Sequence, residues 1–184
     1  MSRLYLALVH YPVLDRRGRI VSTSLTTLDL HDIARSATTY GAEALVIVTP
    51  LRSQLGLAQT MLAYWRHGLG GQWCHNRKQA MQRVETAGDL SELAERLTRR
   101  EGAAPVLLAT SASATPPYTT LAELRERLAR DGPPLVLVLG TGAGLAPEAL
   151  AQCHEMLEPI RGVGEYNHLS VRSAAAIYLD RLRR

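Results

Sequence analysis

Lysine is nearly absent from this 184-residue sequence: Lys78 is the only one. Cysteine is scarce too, with Cys74 and Cys153 alone. Two cysteines make no disulfide framework, which excludes the stapled secreted scaffolds. His75 and His154 stand beside them as isolated Cys-His dipeptides, and neither these nor His10 and His67 have metal-ligand spacing, so no metal is expected. No stretch approaches the roughly 20 apolar residues that span a bilayer. The opening MSRLYLALVHYPVLD is too short for a signal h-region, lacks a small-residue cleavage site and reads as a buried first strand. These absences point to a cytoplasmic protein with no membrane partner. With a single lysine, arginine carries nearly all of the basicity, a net charge of +4 and a sequence pI of about 9.4. The planar guanidinium suits bidentate contact with phosphate. So mild an excess permits RNA as a partner without requiring it, and codon usage in a GC-rich genome produces the same bias.

Short apolar runs alternate with amphipathic stretches along the chain, the rhythm of α/β layering in one domain over residues 1–184. Strands are expected at Leu4–Val9, Ala44–Val48, Arg83–Ala87, Val106–Ala109, Leu135–Leu139 and Glu158–Arg161, with a brief extended piece at Ile20–Ser22 after a turn at Arg17-Gly18. Helices are expected at Asp29–Tyr40, Gln54–His67, Arg77–Gln82, Ser91–Arg100, Leu121–Arg130, Pro147–Met156 and Leu169–Arg183. Asn76 is a candidate cap, as are both Ser91 and Asp89. The run Leu135–Leu139, bounded by glycine, suits a central parallel strand covered on both faces. Trp65 reads as core and Trp73 as a partly buried anchor of the loop Gly68–Asn76, with base stacking the other use for both.

The most informative segment is LVLVLGTGAGL, residues 135–145. A strand running into clustered glycines brings backbone N–H groups close to a ligand. A P-loop requires Lys-Ser/Thr after the last glycine, where Leu145-Ala146 stand. A dinucleotide fingerprint requires its third glycine one residue later and further strand–helix units downstream, for which too little chain follows. The glycine motif of ordinary class I methyltransferases opens its domain, whereas this loop closes one. A tight turn that binds nothing is the remaining alternative.

Further segments, together with the glycine loop, resemble the SPOUT superfamily of RNA methyltransferases, in its SpoU-like branch. LEPIRGVGEYNHLSVRSAAAI, residues 157–177, is similar to the last motif of that superfamily. Arg35-Ser36-Ala37-Thr38-Thr39-Tyr40-Gly41 resembles the R-[TS]-A-x-x-[FY]-G motif of SpoU-type 2′-O-methyltransferases, with Asp29 where an asparagine is usual. HYPV, LDLHDIARS and GTGAGL are similar to blocks of small stand-alone bacterial members. The resemblance implies a mostly parallel sheet with helices on both faces and a C-terminal deep trefoil knot. It implies S-adenosyl-L-methionine (SAM) as cofactor, tRNA or rRNA as substrate, and a homodimer paired through the knot region. Ribose 2′-O is the favoured acceptor and a base nitrogen the second; a non-catalytic RNA- or ribosome-binding module on the same scaffold is the alternative from another class.

The resemblance also implies where the cofactor sits. Leu139, Gly140, Thr141, Gly142, Gly144 and Leu145 form one wall, with Thr110 and Ser111 from the preceding loop. Ile160, Tyr166, Asn167, His168, Leu169, Ser170 and Ser173 form the other. Ser111 and Ser170 serve equally well as turn or cap residues. Arg35 is the catalytic residue of the motif. Because a guanidinium is not deprotonated in proteins, it is expected to clamp phosphate and stabilise a developing alkoxide. His31 lies one helical turn earlier and is the candidate proton acceptor, although Asp29, His31 and Asp32 also suit an N-terminal capping cluster. Asn167 is expected to orient the acceptor.

Overall fold

Residues of β-propensity form a sheet whose central strands are buried on both faces. The computed structural model describes residues 1–184. Strand β1 (Leu4–Val9) leads into a small hairpin, β2 (Val13–Leu14) and β3 (Ile20–Val21), then helix α1 (Thr27–Thr39) and β4 (Ala44–Val48). A helical layer follows: α2 (Arg52–Arg66), α3 (Leu69–Trp73) and α4 (His75–Gln82). Next come β5 (Val84–Ala87), α5 (Leu90–Glu101), β6 (Val106–Ala109), α6 (Leu121–Ala129), β7 (Leu135–Gly140), α7 (Pro147–Leu150), β8 (Glu155–Met156) and α8 (Val171–Arg183). Six strands form one sheet in the order β5-β4-β1-β7-β6-β8, all pairs parallel.

Burial explains the continuous apolar runs. Leu4, Leu6 and Leu8 of β1 face one core with α1, α2, α4, α6 and α8, while Tyr5, Ala7 and Val9 face a second core with α5 and α7. Leu135, Leu137 and Leu139 of β7 divide from Val136 and Val138 in the same way. Helices on both faces remove the polar side that an exposed sheet would show. The expected fold class, a mostly parallel α/β sheet covered on both faces, is the one observed.

Several boundaries differ from expectation, each for a local reason. Helix α1 begins at Thr27 because the Thr26 hydroxyl caps it, accepting from Asp29 N at 3.1 Å. Asp89, not Ser91, caps α5, accepting from Glu92 N at 2.8 Å. Asn76 caps nothing: α4 starts at His75, and Cys74 precedes it without a side-chain bond. The expected strand Glu158–Arg161 lies instead at Glu155–Met156, and the helix expected to reach Met156 stops at Leu150. Main-chain pairing with β6 wins there, because His154 N donates to Leu107 O at 2.9 Å and Leu157 N to Ala109 O at 2.8 Å. The last helix starts at Val171, with Ser170 as its cap, accepting from Ser173 N at 3.2 Å. Trp65 packs against the larger core as expected, but Trp73 is 86 % exposed and anchors nothing.

Leu137 is fully buried at the centre of the sheet. Leu137→Ala is expected to cost about 2–5 kcal/mol in urea unfolding, while Leu28→Ala, on the exposed side of α1, stays within about 0.5 kcal/mol.

Candidate functional site

The carboxyl ends of β1, β6 and β7 lie side by side, and the loops leaving them enclose a cleft of about 1050 Å³ together with the turn before α8. Parallel sheets bind ligands at this edge. The volume is at the upper end of small-molecule sites, roughly 300–1,000 Å³. The loop leaving β7 keeps its shape through main-chain bonds to the β2–β3 hairpin. Ala143 N donates to Leu14 O at 2.7 Å, Leu14 N to Gly144 O at 2.9 Å, and Ala146 N to Pro12 O at 3.2 Å. Gly142 sits at φ +62°, where a Cβ would lie 2.6 Å from Leu14 O. That position therefore takes glycine both for its left-handed backbone and for the close approach of the hairpin.

Most of the expected cofactor residues converge here. Thr110, Ser111, Leu139, Gly140, Thr141, Gly142, Gly144, Ile160, Asn167, His168, Leu169 and Ser170 all line the cleft. Leu145 lies beneath the loop, buried and bridged to Val13. Tyr166 is 80 % exposed outside the lining, its ring edge-on to His168 at 5.3 Å. Ser173 turns its hydroxyl to Ser170 at 3.0 Å as part of the α8 cap. Arg35 is exposed on α1 and His31 packs edge-on to Trp65 at 5.2 Å; neither lines the cleft of its own chain. The His31 ring donates from Nδ1 to Thr27 O at 2.6 Å, and its Nε2 is buried without a hydrogen-bond partner.

Sequence reasoning missed the hairpin side of the cleft: Leu14, Asp15, Arg16, Val21, Thr23 and Ser24. These residues reach the site through backbone pairing, which leaves no mark on residue type. Asp29, read as a departure from the SpoU motif, also lines the cleft. Arg172 holds it from α8 at 3.3 Å and reaches Asp32 at 3.1 Å. Two side chains brace the far wall. The Asn167 amide donates to Ile160 O at 3.1 Å and Ala112 O at 3.4 Å, tying the last turn to the loop after β6. The buried Tyr178 hydroxyl donates to Glu158 O at 3.0 Å, and burial raises its pKa above the usual phenol value.

Below the glycine loop runs a chain of neutral hydrogen bonds with a single possible direction. The Thr141 hydroxyl donates to Val9 O at 2.9 Å, and a carbonyl only accepts. Thr141 Oγ1 therefore accepts from the Thr23 hydroxyl at 2.5 Å, and Thr23 Oγ1 accepts from His10 Nδ1–H at 3.0 Å. His10 is fully buried, and burial lowers its pKa below the model-compound value of 6.5 while Asp29 opposes the shift. It is thus the neutral Nδ1–H tautomer that holds the loop from beneath, with Nε2 bare and buried.

The site fits a ligand held mainly by backbone groups and hydroxyls, with carboxylates at its rim and no lysine. A sequence model described as SAM-dependent RNA methyltransferase matches residues 3–184. The chain belongs to the SAM-dependent RNA methyltransferase family. This family member is 44 % identical over 182 residues to a tRNA (guanine-N(1)-)-methyltransferase of Nitratidesulfovibrio vulgaris, covering 97 % of this chain and 41 % of that protein. It is 38 % identical over 181 residues to a protein of Aquifex aeolicus, covering 98 % and 88 %. Among solved structures it resembles the SpoU methyltransferase AviRb from Streptomyces viridochromogenes in complex with AdoMet. The TM-score is 0.58 at 15 % identity, over 98 % of this chain and 57 % of that one. A structure described as giving insights into 2-OH methylation of C/U34 on tRNA superposes with a TM-score of 0.58 at 20 % identity, over 98 % and 94 %. The methyltransferase fold is common to both. No helix of this family member is long and apolar enough to cross a membrane.

The His10 relay has a measurable consequence. Folding favours the neutral ring, so the unfolded chain binds the extra proton and stability falls as pH drops below the unfolded value of 6.5. The urea midpoint is expected to decline between pH 7 and pH 5, and His10→Asn, which keeps a donor toward Thr23, is expected to flatten that decline. Parallel pH profiles for parent and variant would remove His10 from the account.

Proposed function

We propose that this chain transfers the methyl group of SAM to tRNA in the cytoplasm, with a ribose 2′-hydroxyl as acceptor. The carrying observation is that the glycine loop after β7 and the turn at 160–170 line one cleft in a chain matched by the family from residue 3 to residue 184. Backbone groups of Thr141, Gly142 and Gly144 on one side, and of Ile160 and Leu169 on the other, would hold the nucleoside, with Ser111 and Ser170 offering hydroxyls. Asp15 and Asp29 at the rim, paired with Arg19 and Arg172, leave polar oxygens beside the cleft without adding net positive charge to its floor. Bound SAM supplies an activated methyl on a sulfonium; the chain supplies alignment and charge. Asn167, already braced between two carbonyls, orients the acceptor.

Arg35 is exposed, outside its own cleft and free of any carboxylate partner, so we assign it to the cleft of a second copy in a homodimer, where it clamps the target phosphate and stabilises the developing alkoxide. The C-terminal trefoil knot belongs to the same reading, supported by the likeness to SpoU-type structures and by α8 packing on α1 and α6. His31, packed on Trp65, supports α1 under Arg35; a role as proton acceptor requires its buried Nε2 to open toward the acceptor. A second reading has a base nitrogen as acceptor. It is favoured by the name of the Nitratidesulfovibrio relative, of which this chain spans 41 %.

Calorimetry with SAM is expected to give micromolar binding that disappears in Gly142→Val, since the new side chain meets Leu14 O. A chain that binds no SAM but binds tRNA would be the non-catalytic module instead. Arg35→Ala is expected to abolish methylation while SAM affinity stays within a few-fold. Nucleoside mass spectrometry of tRNA from a deletion strain decides the acceptor: a missing 2′-O-methyl nucleoside supports the proposal, and a missing 1-methylguanosine establishes the second reading.

A further inference from the structure

From Ala44 to Val84 the chain contains no aspartate or glutamate. The same segment carries Arg52, Arg66, Arg77, Lys78 and Arg83, so it alone is charged +5 while the whole chain is +4. The rest of the protein is therefore slightly acidic, and the net basicity resides in the α2–α4 layer. Elsewhere many of the arginines are paired, among them Arg96 and Arg100 with Glu85, Arg127 with Glu155, and Arg172 with Asp29 and Asp32. Here Arg66 and Arg83 bond only to carbonyls, of Met81, Val84 and Ala42. Arg77 lies over the Trp65 ring at 4.7 Å, with its Nε buried and unpartnered. None of these five cations has a carboxylate partner.

An aromatic platform stands on this layer. Trp73 ends α3 at 86 % exposure, and Tyr64 and Leu69 of the same layer are also exposed. Two glycines make the placement possible. A Cβ at Gly70 would lie 2.4 Å from the Tyr64 ring, and one at Gly71 would lie 2.2 Å from Trp65 O. Their absence lets α3 seat flat on the end of α2, and the Lys78 stem crosses Gly71. The indole is thus displayed by a close-packed support, not left on a loose loop.

We infer that the α2–α4 layer is an RNA-docking surface, on which an unpaired base stacks on Trp73 while the uncompensated cations, Lys78 first, contact the flanking phosphates. The inference rests on the reading of this chain as an RNA methyltransferase and adds where the RNA lies. An aromatic face beside unpaired positive charge is the pattern of single-stranded RNA recognition. A second copy of the chain is the poorer occupant, because a two-fold contact would set this carboxylate-free surface against itself. Helix α4 packs along α1, the helix carrying Arg35, so the surface continues toward the residue assigned to the target phosphate.

The test titrates the full chain with bulk bacterial tRNA, following tryptophan emission and the anisotropy of labelled tRNA. The parent emission is expected to quench on binding. Trp73→Ala is expected to lose that quench and to bind tRNA about tenfold or more weakly, with Trp73→Tyr recovering most of the loss. Lys78→Ala is expected to lower the slope of log affinity against log salt by about one. SAM affinity and oligomeric state should not change in any of these. Trp73→Ala binding tRNA within twofold of the parent overturns the inference, as does a parent that binds SAM but not tRNA. A dimer that Trp73→Ala converts to monomer also overturns it, making the face a contact between copies. Loss of both SAM and tRNA binding in the parent would instead bring down the methyltransferase reading itself.

Discussion

Parallel pairing of β1 with β7 is the constraint from which the site follows. It sets Leu4 beside Leu135 and Val9 beside Gly140, joining strands separated by more than half of the chain. That register brings His10, at the end of one strand, beneath Thr141, at the end of the other. It also delivers the β2–β3 hairpin to the flank of the glycine loop. Closing so long a loop carries an entropy cost that grows only slowly with length. Two apolar cores, one on each face of the pair, offset that cost. A slip of one residue in this register would exchange the two sets of side chains between the faces. It would also part Thr141 Oγ1 from Val9 O, so packing and site geometry are specified together.

The floor of the cleft is neutral, which suits the ligand. A sulfonium nucleoside brings its own positive charge, and a cationic floor would oppose it. The His10–Thr23–Thr141 chain fixes the loop without any formal charge, and burial keeps the imidazole unprotonated. Carboxylates remain at the rim, each held by an arginine: Arg19 pairs with Asp15, and Arg172 holds Asp29 in place from the last helix. The last helix thus orders two parts of the cleft: Arg172 holds α1 through Asp29 and Asp32, and Tyr178 braces the turn before the helix through Glu158 O.

Much of this was legible in residue order. Apolar runs ending in glycine or proline marked the buried strands, and the GTGAGL loop and YNHLS segment marked the two cleft walls. What escaped depends on contacts that residue order does not show. Leu14 enters the site through main-chain bonds, which any residue can make, and Thr23 through a hydroxyl whose partners are distant in sequence. The strand at 155–156 depends on an edge pairing with β6 that outweighs local helix propensity in 147–156. His31 and Arg35 share one helical face, as their spacing required, yet spacing along a helix does not say which cleft that face serves. Trp73 was misjudged because a tryptophan is usually at least half-buried, and the glycines that hold it outward read from sequence as loop flexibility.

Charge segregation connects these features to the substrate. A protein of net charge +4 with evenly mixed charges would attract RNA weakly and without orientation. Here every carboxylate lies outside the span 44–84, and many of them neutralise arginines. The potential therefore has direction. It is positive over α2–α4 and close to balanced elsewhere, so an approaching polyanion is oriented before any base is read. The same separation keeps the concentrated positive charge away from the cleft, whose rim carries Asp15 and Asp29 as well as Arg16 and whose floor carries no charge. A nucleoside sulfonium and a polyanion can then be held at once, each on the part of the molecule whose electrostatics it matches.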